Sequence, residues 1–261
     1  MRGWVSQSPG RWTSLTAVHA AGCSIGNPGA TGRPVAEVLV VVAAGPGLGR
    51  AVALRFAREG FAVGLVARSP DRLSGLAAEV TAAGSPSVAV AGADVGEEDA
   101  LRAALGQVAG ELGPATVLVF NGSAYVEGSG LSISAADLRS ALDVGVVGAM
   151  VAAQEVSAAM RAVGRGTVIL TGSVAADRAS TSATAVGVAK AGLRNLGLSL
   201  HKALAPEGVR VTTVTINGVL SGPKALDVAA IADLYWRLHT QPDPPPDVVT
   251  FPPRRAPVHP R

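Results

Sequence analysis

Cysteine, aromatic residues and charged residues are all scarce in this chain of 261 residues. Its single cysteine, Cys23, excludes a disulfide within the chain and agrees with a reducing compartment, so we expect a cytoplasmic location. Aromatic residues make up 3% and charged residues 16% of the chain, whereas 48% of its residues are hydrophobic. This composition argues against a disordered protein, which would be polar and highly charged.

Metal, nucleic-acid and membrane partners are not expected either. The histidines are His19, His201, His239 and His259. Their scattered positions do not suit a metal site. The formal net charge is +3, and the basic residues do not cluster with aromatic residues on one element, so no nucleic-acid surface is expected. The longest apolar candidate, Ala141 to Val163, carries Asp143, Gln154 and Glu155, and this pattern predicts a buried core or interface helix rather than a membrane span.

The sequence alternates between strand and helix patterns. The run Val38 to Val42 is apolar on both faces, which is typical of a strand inside a parallel sheet. Further strands are predicted over 62–67, 87–91, 116–120, 167–171 and 209–216, and helices over 50–59, 70–83, 97–112, 135–163, 183–204 and 227–238. The stretch over 135–163 is expected as one helix or as two pieces. The alternation predicts an α/β fold with a single doubly wound parallel sheet and helices on both of its faces.

Three regions follow from this pattern. Residues 37–240 form the predicted domain. Residues 1–36 contain no acidic residue, and we expect a disordered extension or a start codon assigned too early. Residues 241–261 are rich in proline, so we expect an irregular tail to which 248–251 can add a short edge strand.

A glycine-rich turn joins the first predicted strand to the first helix. Glycine lets backbone N–H groups approach a pyrophosphate closely, and the N-terminus of the helix supplies a favourable dipole. An ordinary tight turn would also use glycine, but the position in the first βαβ unit favours a Rossmann-type dinucleotide site. The cofactor-binding residues predicted here are Gly45, Gly47, Leu48, Gly49 and Arg50.

The turn resembles the TGxxxGxG motif of the short-chain dehydrogenase/reductase family. Gly47 and Gly49 match the last two glycines of the motif, while Val42 and Ala43 stand where the family has Thr-Gly. The resemblance covers residues 38–218. It implies a Rossmann fold, an NAD(P) cofactor, a small-molecule substrate, and a homodimer or homotetramer formed through the long helices.

Three further motifs of the same family follow in order. Asp94-Val95 matches the position of the acid that contacts adenine, and Asn121-Gly122 matches the Asn-Ala-Gly motif after the fourth strand. Ser173 matches the catalytic serine after the fifth strand. The resemblance thus implies cofactor binding by Asp94, Val95, Asn121 and Gly122.

The end of the second strand predicts which cofactor is preferred. An acid there binds the ribose 2′-hydroxyl of NAD, whereas an arginine favours the 2′-phosphate of NADP. The sequence has Arg68 at this place and no acid before Asp71, and Arg50 could add a second positive charge. Arg68 could instead be a solvated loop residue. We favour NADP(H) over NAD(H).

The resemblance implies a catalytic set of which only part is present. In the family, a tyrosine passes the proton, a lysine four residues later lowers the pKa of that tyrosine and binds the ribose, and a serine polarises the carbonyl. Lys190 and Ser173 match the lysine and the serine, with Ser173 placed thirteen residues before position 186. Position 186 is Val, and Gly145 stands where the family has a catalytic asparagine. Ser173 and Lys190 are therefore the predicted catalytic residues.

A proton donor would have to come from elsewhere in the chain. Ser182 and Thr184 lie just upstream of position 186 but would face another side of the helix. Tyr125, after the fourth strand, is the best outside candidate, and the alternative is a loop aromatic that lines a pocket wall.

The sequence predicts an NADP(H)-dependent oxidoreductase of this family, weakly active, acting on a small carbonyl, alcohol or enone. An enone is included because reduction of a conjugated double bond can take its proton from another group. The alternative is a non-catalytic dinucleotide-binding regulator or partner subunit. A third alternative is an α/β domain that binds no dinucleotide. It is supported only by Ala43, which stands where the motif has glycine.

Overall fold

Seven parallel strands form one sheet in the part of the chain that the computed structural model describes, residues 36–253. Most of the predicted extension over residues 1–36 and the end of the predicted tail lie outside the described residues. The strands are β1 (Val38–Val42), β2 (Ala62–Ala67), β3 (Val88–Gly92), β4 (Val117–Phe120), β5 (Gly166–Ser173), β6 (Val209–Ile216) and β7 (Val248–Phe251). Their order is β3-β2-β1-β4-β5-β6-β7. The chain order reverses between β1 and β4, which is where doubly wound sheets open a crevice at the carboxyl ends of their strands.

Helices cover both faces of the sheet, so the predicted Rossmann-type α/β fold is confirmed. The helices are α1 (Leu48–Ala57), α2 (Ser74–Ala82), α3 (Glu98–Leu112), α4 (Ala135–Leu142), α5 (Gly148–Ala162), α6 (Thr184–Leu204) and α7 (Val228–Thr240). Helices α3, α5 and α6 share one hydrophobic core with the sheet, and α1, α2 and α7 share the other. Each face is thus sealed by three helices.

Strand β1 shows why the sheet forms at the centre of the molecule. Its five residues are all buried, and they alternate between the two cores. Val40 packs toward α3 and α5, while Leu39 and Val41 pack toward α1 and α7. Each such side chain contributes about 1.5–3 kcal/mol when it is removed from water, so a run that is apolar on both faces is stable only between two helical layers.

The long stretch predicted over 135–163 as one helix or two pieces is helical throughout and contains a π-helical turn. Helix α4 ends at Leu142, a π-helical turn runs over Asp143–Val147, and α5 begins at Gly148. A Cβ atom built on Gly148 would come within 2.5 Å of the carbonyl oxygen of Val95. The helix therefore passes the end of β3 at a distance that only glycine allows.

The stretch Ala135–Val163 is also the one part of residues 36–253 that is long and apolar enough to cross a membrane by length and composition. Its mean hydropathy reaches 1.3, and half of that window is buried within the fold. Its buried residues include Val151, Val156 and Met160, which belong to the core shared with α3 and α6. The apolar side chains of this stretch thus form part of the hydrophobic core.

The segment that follows α7 is irregular but anchored along the outer edge of β6. The Arg210 guanidinium donates hydrogen bonds to the carbonyl oxygens of His239, Gln241 and Pro242, at 2.7 to 3.1 Å. The Thr212 hydroxyl donates to the Pro246 carbonyl oxygen at 3.0 Å. Strand β7 then pairs in parallel with Thr213 to Ile216. The short edge strand predicted over 248–251 is therefore confirmed.

Candidate cofactor and active site

A cavity of about 1150 Å³ opens at the carboxyl ends of β1 to β4. Its lining includes five predicted site residues: Gly45, Arg50, Arg68, Asp94 and Val95. The other predicted site residues lie outside the lining: Gly47, Leu48, Gly49, Asn121, Gly122, Ser173 and Lys190. The volume slightly exceeds the range of about 300–1000 Å³ that is usual for small-molecule sites. The cavity has room for a ligand of dinucleotide size.

The glycine turn has the geometry that a phosphate-binding turn needs. Cβ atoms built on Gly45 and Gly47 would meet no atom within 4 Å, so the backbone here is open to a ligand. A Cβ atom on Gly49 would lie 3.1 Å from the Cα atom of Ala44, which means that α1 packs closely on the end of β1. Helix α1 begins at Leu48, directly after the turn, so its N-terminal dipole favours an anion there.

Ala43, at the end of β1, adopts a left-handed conformation with φ +58°. It is the single non-glycine residue with positive φ among residues 36–253. Such a conformation costs an L-residue with a Cβ atom about 1–2 kcal/mol. The strain falls at the position where the family motif has glycine, because the backbone must turn sharply toward the cavity there.

Two arginines follow the end of β2 and line the cavity. Arg68 follows the strand, and Arg72 lies on the short 3₁₀ turn Pro70–Leu73; both line the cavity. Arg50 also lines the cavity, and its guanidinium forms an ion pair there with Glu79 of α2 at 2.5 Å. Sequence reasoning missed Arg72, although its spacing four residues after Arg68 was visible. Arg50, Arg68 and Arg72 thus all border the cavity, and Arg50 is the one of the three that is ion-paired there.

The ends of β3 and β4 border the same cavity. The Gly96 N–H donates to Asp94 Oδ1 at 3.0 Å, which fixes the turn after β3. The Asn121 N–H donates to the Val42 carbonyl oxygen at 3.0 Å, so the end of β4 is tied to the end of β1. At Gly122 a Cβ atom would lie 2.7 Å from the Phe120 ring. Gly122 thus allows the chain to turn back over its own strand.

Lys190 is buried between strand ends. Its Nζ donates to the Thr171 carbonyl oxygen at 2.8 Å and to the Gly122 carbonyl oxygen at 3.0 Å. Burial lowers the pKa of the amine from 10.5 to about 8. The amine therefore ties the ends of β4 and β5 together and has one N–H left for a further partner.

Ser173 and position 186 complete the catalytic region. Ser173 ends β5, and its Oγ accepts a hydrogen bond from the Ala175 N–H at 3.2 Å. Val186 lies on α6 and is half-buried, so an isopropyl group occupies the place of the expected phenol. Gly145 lies in the π-helical turn, where a Cβ atom would lie 3.1 Å from the Ala189 Cβ. An asparagine at position 145 would have to displace this alanine slightly.

The two tyrosines of the chain occupy opposite environments. Tyr125 is 68% exposed and lines the cavity. Tyr235, on α7, is fully buried, and its hydroxyl lies 2.8 Å from Thr171 Oγ1. Burial raises the pKa of Tyr235 above its ordinary value, which makes this phenol a poorer acid. Tyr125 is thus the one tyrosine open to the cavity.

The match to a family model agrees with this arrangement. The model described as short chain dehydrogenase matches residues 37–225. This chain belongs to the short-chain dehydrogenase/reductase family. The predicted resemblance is confirmed, and the family's oxidoreductase character and Rossmann NAD(P)-binding fold come with it.

A curated relative and two solved structures illustrate the range of the family. The chain is 35% identical over 184 residues to (2S)-[(R)-hydroxy(phenyl)methyl]succinyl-CoA dehydrogenase subunit BbsC of Thauera aromatica, covering 70% of this chain and 72% of that protein. It is 29% identical to a short-chain dehydrogenase from Rhodopseudomonas palustris, with a TM-score of 0.74, covering 84% of this chain and 99% of the other. It is 27% identical to a metagenomic short-chain oxidoreductase in complex with NADP, with a TM-score of 0.75, covering 82% and 96%.

Proposed function

We propose that this protein is an NADP(H)-dependent oxidoreductase that acts slowly on a small carbonyl, alcohol or enone. The observation that carries the proposal is the cavity itself. Its lining joins the glycine turn, Arg68 and Asp94 at the point where doubly wound sheets bind dinucleotides. The open space at Gly45 and Gly47 fits a pyrophosphate.

The preference for NADP(H) rests on Arg68 and Arg72. Both guanidinium groups border the cavity, and neither has an ion-pair or hydrogen-bond partner for its side chain among residues 36–253. A planar guanidinium suits a phosphate by charge and by geometry. The relative from the metagenomic source is a complex with NADP, which supports the same choice.

The chemistry available to the chain's own residues is incomplete. When bound, the reduced nicotinamide would supply the hydride that a carbonyl carbon accepts. Ser173 Oγ would then donate a hydrogen bond to the carbonyl oxygen, and Lys190 would hold the ribose and a positive charge beside it. Val186 cannot deliver a proton, and the loss of general acid catalysis costs about 10²- to 10⁴-fold in rate.

A second candidate is a non-catalytic partner subunit that binds the dinucleotide without turnover. Two observations favour it: Val186 replaces the phenol, and Lys190 already uses two of its three N–H groups on the carbonyl oxygens of Gly122 and Thr171. The relative from Thauera aromatica is itself a dehydrogenase subunit. In this case cofactor binding would persist without turnover.

Titration calorimetry with NADPH and, separately, NADH tests the cofactor proposal. We expect NADPH to bind at least 10-fold more tightly than NADH. Arg68→Gln and Arg72→Gln should each reduce this preference, whereas Arg58→Gln, an exposed arginine outside the cavity, should leave it unchanged. Equal binding of the two cofactors would remove the role of Arg68, and binding of neither would overturn the oxidoreductase proposal.

We also propose a homodimer or homotetramer. Helices α5 and α6 expose Met150 and Val188, and apolar side chains on long helices favour self-association. Light scattering coupled to size exclusion would give the mass, and Met150→Glu with Val188→Glu should lower it if these helices form the contact. The cytoplasmic location stays a prediction.

A further inference from the structure

A small third core braces the loop after β4 against α4 and α6. It is formed by apolar residues of the three elements: Ala124, Val126, Ile133, Leu138, Ala141, Leu142, Ala185 and Ala189. The loop is also bonded to the segment before α6, because the Gly128 N–H donates to the Ser182 carbonyl oxygen at 3.0 Å and the Thr184 N–H donates to the Gly128 carbonyl oxygen at 3.2 Å. The loop is therefore held from two sides.

The N-terminus of α4 is held by hydrogen bonds of its own. The Asp137 N–H donates to Ser134 Oγ, and the Ser134 N–H donates to Asp137 Oδ2, each at 3.0 Å. This reciprocal capping box satisfies two backbone donors and sets the direction of the helix. The loop and α4 together form one rigid unit.

Two exposed side chains project from this unit into the cavity. Tyr125 lies between the core residues Ala124 and Val126, and Arg139 directly follows the core residue Leu138. Within residues 36–253 the side chain of Arg139 has no hydrogen bond and no ion pair, even with Asp143 one turn later. An exposed aromatic ring and a free guanidinium on a rigid frame are typical of a binding surface.

The unit stands beside the catalytic positions. Two alanines of its core lie next to these positions on α6: Ala185 directly precedes Val186, and Ala189 directly precedes Lys190. Among the carboxylates of the lining, Asp94 accepts a hydrogen bond from the Gly96 N–H, and Asp143, one turn after Arg139, lies against Gly96. Arg139 is the cationic side chain that this unit contributes to the cavity lining, and the core of the unit packs against the turn of α6 that carries Val186 and Lys190.

We propose that Tyr125 and Arg139 select the substrate, a carbonyl compound that carries a carboxylate and a planar group. Arg139 pairs with the carboxylate, for which a guanidinium offers two parallel N–H donors. The Tyr125 ring covers the planar part, as amphipathic aromatic side chains do in binding sites. Tyr125 is then a binding residue rather than the missing proton donor. This inference rests on the proposed oxidoreductase function.

The test compares two ligands that differ in charge alone. Benzoylformate carries the carboxylate, and methyl benzoylformate is its neutral ester. Each is titrated calorimetrically into the protein saturated with NADP⁺, so that no turnover disturbs the measurement. We expect benzoylformate to bind at least 10-fold more tightly than the ester.

Variants on the same unit assign the effect to residues. Arg139→Gln should weaken benzoylformate at least 10-fold and leave the ester unchanged, whereas Arg139→Lys should recover part of the loss. Tyr125→Leu should weaken both ligands by a similar factor of about 5 to 30. Leu131→Ala, a fully exposed position on the same loop, is the matched control and should change neither ligand.

The outcomes separate this inference from the proposed function. NADP⁺ titrations of the wild type and of Arg139→Gln test cofactor binding alone and should agree with each other. If NADP⁺ fails to bind, the proposed function fails, and the charge preference is measured on the free protein. Equal binding of the two ligands, no binding of either, or a preference that survives in Arg139→Gln overturns the assignment of Arg139 and Tyr125.

Discussion

Val186 precedes Lys190 by four residues on α6, so the buried amine has an isopropyl group one helical turn away where the family has a phenol. The amine instead bonds to the carbonyl oxygens of Gly122 and Thr171. Ser173 and Lys190 remain the predicted catalytic residues, and Val186 stands at the position predicted for the phenol. The consequences of this relationship can be measured directly.

Restoring the phenol should restore proton transfer. We expect Val186→Tyr to raise kcat for carbonyl reduction by about 10²-fold, the lower end of what general acid catalysis contributes. Steady-state rates with NADPH and a panel of carbonyl compounds and enones give the measurement. Ser199→Tyr, at an exposed position on the same helix, should leave kcat unchanged. A Val186→Tyr protein that still lacks turnover would favour the non-catalytic partner subunit.

Relieving the strain at Ala43 should stabilise the protein. Ala43→Gly removes the Cβ atom from a left-handed residue and should raise the free energy of unfolding by about 1 kcal/mol. At this chain length that corresponds to a Tm increase of about 2–4 °C. The neighbouring Ala44 is buried without positive φ, so Ala44→Gly should lower Tm instead. An unchanged or lower Tm for Ala43→Gly would show that Ala43 is not strained.

The lowered pKa of Lys190 should appear in the pH dependence of stability. The unfolded chain keeps this lysine protonated up to about pH 10.4, whereas the folded protein releases the proton near pH 8. The unfolded state therefore binds more protons in this window, and stability should rise with pH from about 8 to about 10. Chemical denaturation at several pH values gives the slope, which Lys190→Met should abolish. Above about pH 10 the buried Tyr235, whose pKa is raised, works in the opposite direction.

Two neighbouring threonines of β6 offer a matched pair. Both Thr212 and Thr213 are buried, but Thr212 Oγ1 donates to the Pro246 carbonyl oxygen and Thr213 Oγ1 has no hydrogen-bond partner among residues 36–253. Thr213→Val removes an unsatisfied hydroxyl and should raise the free energy of unfolding by about 1 kcal/mol. Thr212→Val leaves a carbonyl oxygen unpaired and should lower it by about 1 kcal/mol. Urea unfolding curves would show shifts of opposite sign, and shifts of the same sign would contradict the assignment.

The sequence predicts the sheet well because each strand carries its own signal. The residues of β1, β2 and β4 are apolar on both faces, and this local property alone distinguishes a strand buried in a parallel sheet. Helix bounds are close for the same reason, since glycine and proline mark the ends locally. Two pieces were allowed for the stretch 135–163, but the π-helical turn over Asp143–Val147 was not predicted, because it lies beside the approach of Gly148 to Val95, a contact between distant parts of the chain.

The site is less predictable because its contacts join distant parts of the chain. The partners of Lys190 lie 68 and 19 residues away, and nothing in the local sequence around Lys190 names them. The ion pair of Arg50 with Glu79 likewise spans 29 residues, so the local sequence around Arg50 does not indicate it. Tyr125 could be placed near the cavity from its position after β4, but its exposure could not be predicted.

The anchored segment after α7 has a consequence for how copies of this protein behave at high concentration. Strand β6 is longer than β7, so half of its outer edge would be open to another strand if that segment were absent. Arg210 and Thr212 hold the segment along this half by hydrogen bonds to its carbonyl oxygens. Its prolines have no N–H group to offer an incoming strand. The segment thus covers the half of the β6 edge that β7 leaves free, and we expect its removal to expose that half to strand pairing with another copy.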